Sequence, residues 1–300
     1  MIARASTEDA DGASALLRAV YVDDLVTATG VRYRIATSPP QARAAWWKVL
    51  EGTRIVGWAA ASLDTMTAEK GRAFAAVAVH PARRRRGYGS ALWRAVAAHL
   101  DEIGAARTSI ATQDDGASSD FARARGCRLA STEMLLWVDP RSLEPATSPA
   151  DVELRPLSAF ADDPEPVYRC DVDAAQDEPG PFDFDALTLA SWRRMIWDHP
   201  DLDRDLGVAA VADGKVVGAT FLVAHRVSGR AVNSGTGVLR SHRGRGLGLL
   251  MKQRSLTGAA AAGITRVVTH NDETNAAMLA INRRLGYRPL AVSRWWLREP

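Results

Sequence analysis

The chain reads as an α/β protein of two tandem domains, each a mixed sheet flanked by helices. Three observations predict this. A glycine-rich stretch occurs twice, as RRRRGYGSALWR from Arg83 to Arg94 and as HRGRGLGLLMK from His242 to Lys252. The segments around it recur in the same order about 160 residues on, a domain-sized period far too long for a solenoid. Within each copy a hairpin gives way to alternating strands and helices, the order expected of a mixed sheet. The length of 300 residues also suits two domains better than one.

The elements follow in pairs. EGTRIVGWAAASL (Glu51 to Leu63) and DGKVVGATFLVAH (Asp213 to His225) are short apolar runs after an acid-glycine turn, and each predicts the second strand of a hairpin. AFAAVAVH (Ala73 to His80) and VNSGTGVL (Val232 to Leu239) are strands leading into the glycine turns. After the turns, Gly89 to Leu100 places Leu92, Val96 and Leu100 on one helical face, and Gly248 to about Ala260 forms the matching helix. RTSIAT and TRVVTH are short strands, followed by helices over Ser118 to Arg125 and Asn275 to Leu285, with Gly126 and Gly286 as C-terminal caps. MLLWVD and SRWWLRE are closing strands. The expected domains span 1–140 and 152–300, with 141–151, rich in Pro, Ser and acids, as the linker.

Composition narrows the function. The chain is 47% hydrophobic and 24% charged, and its net charge of +3 is too small to argue for a nucleic-acid partner without a basic stripe. Cys127 and Cys170 lie far apart and have no metal-ligand spacing, so no metal is expected and a reducing, cytoplasmic setting is. The opening MIARASTEDADGAS has no apolar signal core, and no run approaches the ~18 apolar residues of a membrane helix.

The glycine turns carry the chemistry. A strand feeding a helix through such a turn leaves the first helical N–H groups pointing outward without partners, and the helix dipole adds partial positive charge. Together they form a phosphate site. Glycines let the phosphate approach the backbone, and arginines add charge and forked donors. No Gly-Lys-Ser/Thr follows, which excludes a Walker-type loop, and the spacing differs from the dinucleotide Gly-x-Gly-x-x-Gly.

Arg84-Arg85-Arg86-Gly87-Tyr88-Gly89 and Arg243-Gly244-Arg245-Gly246-Leu247-Gly248 resemble the Arg/Gln-x-x-Gly-x-Gly/Ala signature of the GNAT superfamily of N-acetyltransferases. NAAMLAINRRLGYRP resembles the following helix of that family, opened by Asn275. The two copies cover nearly the whole chain, an organisation similar to tandem family members such as mycothiol synthase. The resemblance implies a splayed sheet and acetyl-coenzyme A as cofactor, its pyrophosphate gripped by each turn. Its pantetheine arm would lie along Thr236, Gly237 and Val238 in the C-terminal half, and along Val77, Ala78 and Val79 in the N-terminal half. A backbone N–H there would polarise the thioester carbonyl, and an amine would attack directly. The family's tyrosine acid is replaced by Asn282 and Ala122. Asn282 is expected to hydrogen-bond the sulfur or a water.

His270 is the candidate base, an imidazole suited to proton removal near neutral pH. Within the acidic stretch Asp171 to Asp185, Asp177 and Glu178 are the candidates for attracting an ammonium substrate. The C-terminal half keeps more of the pattern and is expected to be the active one, transferring acetyl to a small-molecule amine. The alternatives are a non-catalytic coenzyme-A-binding sensor, mycothiol-synthase-like chemistry and acetylation of an amine antibiotic. A monomer or homodimer with no nucleic-acid or membrane partner is expected. In the nucleic-acid alternative, the arginine run would bind DNA with steep salt dependence.

Overall fold

A computed structural model describes residues 2–144, 151–180 and 183–299 of the chain. Residues 145–150 of the expected linker lie outside the described residues. The chain divides into two compact units, residues 1–132 with 292–300 and residues 133–291.

The first unit runs β1 (Ile2–Arg4), α1 (Ala10–Val20), α2 (Ala28–Ala36), β2 (Ala45–Glu51), β3 (Arg54–Leu63), β4 (Arg72–Val79), α3 (Tyr88–Glu102), β5 (Arg107–Gln113) and α4 (Gly116–Arg123). Strands β1 to β4 pair antiparallel in sequence order, and β5 pairs parallel with β4. Strand β6 (Arg128–Val138) begins in this unit. The second unit repeats the plan with β7 (Glu153–Pro156), α5 (Glu165–Ala175), α6 (Leu189–Trp192), β8 (Val208–Ala212), β9 (Lys215–His225), β10 (Arg230–Val238), α7 (Leu247–Ala261), β11 (Arg266–Asp272) and α8 (Ala276–Arg284). Strand β12 (Arg288–Arg298) ends the described chain. The mixed α/β class and the tandem repeat are as the sequence predicts.

The boundaries of the compact units depart from contiguous 1–140 and 152–300, because the closing strands are exchanged. Glu133–Val138 of β6 pairs antiparallel with β11 in the second unit. Ser293–Arg298 of β12 pairs antiparallel with β5 in the first. The registers correspond: Val267 faces Val138, and its repeat counterpart Thr108 faces Arg298. Duplication makes the two open edges equivalent, so either closing strand satisfies either edge's backbone groups.

Helix α3 shows why each helix seats on its sheet. Leu92, Val96 and Leu100 recur at helical spacing and are sealed from solvent against β2, β3 and β4. Burying such a side chain contributes about 1.5–3 kcal/mol. Gly126 and Gly286, just past α4 and α8, are left-handed as C-terminal caps require. Among the described residues no helix is long and apolar enough to cross a membrane, and no group of three or more His, Cys, Asp or Glu is placed to hold a metal ion.

Candidate functional site

Each unit has a cleft where its parallel strand pair comes apart. In the second unit β10 and β11 pair only from Arg230/Arg266 to Asn233/Thr269, while β10 stays paired to β9 as far as Val238. In the first, β4 and β5 pair from Arg72/Arg107 to Ala75/Ile110, while β4 stays on β3 to Val79. Thr236, Gly237 and Val238, like Val77, Ala78 and Val79, therefore lie on the splayed stretch and line the clefts. A β-bulge at Asn233/Gly235 marks the point of divergence in the second unit.

A buried polar network fixes that point. The Asn233 amide donates to Thr220 Oγ1 and to the Phe221 carbonyl, both at 2.9 Å. Thr236 Oγ1 lies 2.7 Å from Thr220 Oγ1 and donates to Asn233 Oδ1 at 3.2 Å. Thr269 Oγ1 donates to the Asn233 carbonyl. Asn233→Leu would remove the side-chain amide's bonds to Thr220, to the Phe221 carbonyl and from Thr236, at a cost of roughly 2–4 kcal/mol. Chemical denaturation checks this; a midpoint shift equivalent to a surface substitution would show that the network does not hold the divergence.

Beyond the splay, both turns have one conformation. Arg84 and Arg243 are extended at φ −64° and −68°. Arg85 and Gly244 follow in the left-handed region, then Gly87 and Gly246, which cap α3 and α7. Neither helix has a side-chain N-cap hydrogen bond, so their first N–H groups open onto the clefts. An added Cβ on Gly87, Gly244 or Gly246 would enter open space. Gly89 and Gly248 instead approach Phe121 and Ile281 of the next helix, at 3.2 and 3.3 Å from the would-be Cβ. An uncapped helix start with cleared glycines fits an anionic pyrophosphate. Coenzyme A is thus compatible with both turns.

The signature arginines divide in role. Arg243 Nε donates to the Val238 carbonyl at 2.9 Å, and Arg84 Nε to the Val79 carbonyl at 3.4 Å. These carbonyls face away from the neighbouring strand, and in a strand the N–H of the same residue points the same way. Arg245 and Arg86 do not line the clefts; Arg245 pairs with Asp151, and Arg86 lies 3.6 Å from Glu51. Glu51 also accepts from Tyr88 Oη and from Arg83. Leu247 is buried under the second turn. Asn275 and Asp115 are equivalent caps, accepting from Met278 N and Ser118 N respectively.

The polar side chains around the second cleft are arranged differently from the sequence expectation. Asp177 is an ion-pair partner of Arg240 and, at 2.7 Å, of Arg243, which holds its carboxyl below the usual carboxylate range. It therefore ties the end of α5 to the phosphate turn and is not a free acid for an amine. Glu178 lines the cleft; desolvation, then the charge of Glu133, pushes its carboxyl up. His270 lies 3.4 Å from Glu133 and is not in the cleft wall. Asn282 is corrected outright: it is fully buried, donates to Asn271 Oδ1 at 2.6 Å and does not face the cleft, so it is not positioned to meet the sulfur. Interior pairing of two amides outcompetes exposure of one.

Asp171 was not singled out by the sequence. It lies on α5 in the cleft wall, accepts from Trp192 Nε1 at 2.7 Å, and is pushed up to about 6 by desolvation. Trp192 stacks on Trp197 at 5.4 Å, both fully buried, so these tryptophans pack the core and one of them aims a carboxylate. The following turn of cleft wall is Ala174, whose Cβ would lie 2.6 Å from a Cβ on Gly237. Glycine is required there for α5 to rest on β10.

The chain resembles known proteins over most of its length. The profile of the Acetyltransferase (GNAT) family matches residues 16–127, and that of the Acetyltransferase (GNAT) domain matches residues 143–288. A mycothiol acetyltransferase of Saccharomonospora viridis is 29% identical over 248 residues, covering 78% of this chain and 76% of that protein. Another, of Amycolatopsis mediterranei, is 28% identical over 258 residues, covering 78% and 77%. Among solved structures, a tandem GNAT protein from the clavulanic acid biosynthesis pathway superposes with a TM-score of 0.75 at 22% identity, over 100% of this chain and 98% of that one. A GCN5-related N-acetyltransferase from Sphaerobacter thermophilus gives 0.72 at 18% identity, over 100% and 95%.

Proposed function

The chain belongs to the GNAT family of N-acetyltransferases, and from that premise we propose that its second unit transfers acetyl from acetyl-coenzyme A to the amine of a small, cationic molecule. One observation carries the reading: Asp171 and Glu178 stand in the same cleft as the splayed stretch of β10 and the open helix start at Gly246. The turn supplies a site for a pyrophosphate, and the cleft's acidic wall supplies one for an ammonium group.

Bound acetyl-coenzyme A would supply the acetyl group as an activated thioester. The chain's own groups do the rest. The N–H groups at Gly246 to Gly248 hold the anion. The outward-facing N–H of Val238 is the donor for a carbonyl oxygen lying along β10. Glu178 draws the ammonium in, and Asp171 accepts its proton, since a carboxyl near 6 is ionised at neutral pH yet basic enough to take a proton. Trp192 holds the Asp171 carboxylate in place.

Turnover is therefore expected to rise as pH passes through about 6, where Asp171 loses its proton. Asp171→Asn should remove that limb and lower kcat by roughly 100-fold. Glu178→Gln should act mainly on KM, raising it about tenfold through the lost attraction. Thiol release measured across a panel of primary amines, diamines and amino sugars tests the proposal. Cationic amines should outrun neutral ones; an equal response to both, or none to either, would overturn it.

A second reading has its own support. Both curated relatives named above are mycothiol acetyltransferases, aligned over most of this chain. Mycothiol-type chemistry on a cysteine-bearing pseudodisaccharide is the specific form of the same reaction that they favour, and including such an amine in the panel tests it directly.

A further inference from the structure

The two clefts differ in depth, and the difference lies in three corresponding positions. In the second unit His270, Asn271 and Asn282 stand where the first unit has Ala111, Thr112 and Ala122. Asn271 and Asn282 hydrogen-bond to each other at 2.6 Å and seal the floor between β11 and α8. None of the three lines the second cleft, which measures about 420 Å³. In the first unit the smaller side chains leave that floor open. Ala111, Thr112 and Ala122 all line the cleft, which extends to about 670 Å³ and reaches Ile110 and Cys127 in the hydrophobic core.

The added space is apolar. Phe121 and Trp93 meet edge to face at 6.5 Å along its side; Arg83, Arg84 and Arg85 stand at the glycine turn, and Arg125 lies over the Phe121 ring with its guanidinium bonded to the Phe121 carbonyl and Ser90 Oγ. The same cleft is therefore continuous from an anion site to a greasy pocket, passing the splayed residues Val77 to Val79. Cys127 is not a reactive group there, since burial pushes its thiol up and leaves it uncharged. Thr112 Oγ1 is engaged by Trp296 Nε1, so it presents little unsatisfied polarity.

We infer that the first unit is a binding site for an acyl-coenzyme A with a chain longer than acetyl, whose acyl group occupies the pocket opened by Ala111 and Ala122. The inference rests on reading the glycine turns as coenzyme A sites. The first unit thereby selects a different thioester from the second, whose sealed floor limits it to a small acyl group.

Calorimetric titration of the full chain tests this, using coenzyme A, acetyl-coenzyme A and hexanoyl-coenzyme A. A Gly246→Val background closes the second turn and leaves the first to be read alone. Four extra methylenes buried in the pocket should make hexanoyl-coenzyme A bind at least about tenfold tighter than acetyl-coenzyme A. Ala122→Asn, copying Asn282, should erase that preference while keeping acetyl-coenzyme A affinity within about twofold, because it adds bulk only to the floor. Ala111→Leu fills the same pocket from β5 and gives the same readout should Ala122→Asn fail to fold. Equal affinity for the two thioesters, or a preference that survives both floor variants, overturns the inference and leaves the coenzyme A reading standing. No binding of any of the three compounds overturns both.

Discussion

Gly246→Val is expected to abolish coenzyme A binding by the second unit, weakening it by at least about 100-fold. Two effects add. Gly246 sits at φ 78°, where a β-branched side chain costs on the order of 1–2 kcal/mol, so the turn shifts from the geometry that aims its N–H groups. The new side chain also projects into the space left open for the anion, since nothing in the protein lies within 4 Å of a Cβ there. That openness means the variant meets no neighbour, so the strain is the whole cost to folding. Isothermal titration with acetyl-coenzyme A, with a thermal melt alongside, separates the two effects. Retained affinity would show that the turn does not grip the cofactor. Arg85 makes the complementary point in the first unit, a non-glycine residue held at φ 63° where the second unit has Gly244. It places a guanidinium at the mouth of that cleft.

The second large effect concerns Lys252, on α7. Its side chain is 1% exposed, and its ammonium lies 5.0 Å from the centre of the Tyr287 ring. Tyr287 Oη has no hydrogen-bond partner among the described residues. Desolvation pushes the lysine down to about 7 from its ordinary 10.5. Between those two values the unfolded chain binds more protons than the folded one, so stability rises with pH across that window. Below about 7 the lysine is charged in both states and the penalty stays constant. Lys252→Met keeps the length and removes the charge, and should stabilise the second unit by roughly 2–4 kcal/mol at pH 7. The gap between variant and wild type should close as pH approaches 10. Denaturant unfolding at several pH values measures it. A variant no more stable than wild type at pH 7 would mean the ammonium finds solvation in its burial site.

Most of the fold was legible because each element is written twice. The apolar run from Lys215 to His225 is a strand over those same residues, and the helices after the glycine turns begin within one residue of the sequence reading. Local signals suffice for such elements: a turn, a period, a cap. The exchange of β6 and β12 was not legible, since pairing across more than a hundred residues leaves no local mark and the duplicated edges are interchangeable. The same limit explains the site. The glycine turns announce their own conformation. The ion pair of Asp177 with Arg240 and Arg243, the sealing of Asn282 by Asn271, and the closeness of Glu133 to Glu178 all depend on which distant segments meet. Asp171 was hidden by its ordinary surroundings in the sequence; only burial beside Trp192 distinguishes it from the neighbouring acids.

The assignment of transfer chemistry to the second unit is tested most directly by half-specific turnover. Steady-state thiol release from acetyl-coenzyme A with a cationic amine should be measured for the wild type, Gly87→Val and Gly246→Val. Gly87→Val is predicted to keep most of the wild-type rate and Gly246→Val to lose it. Loss of turnover in Gly87→Val with activity retained in Gly246→Val would place the chemistry in the first unit and contradict the proposal.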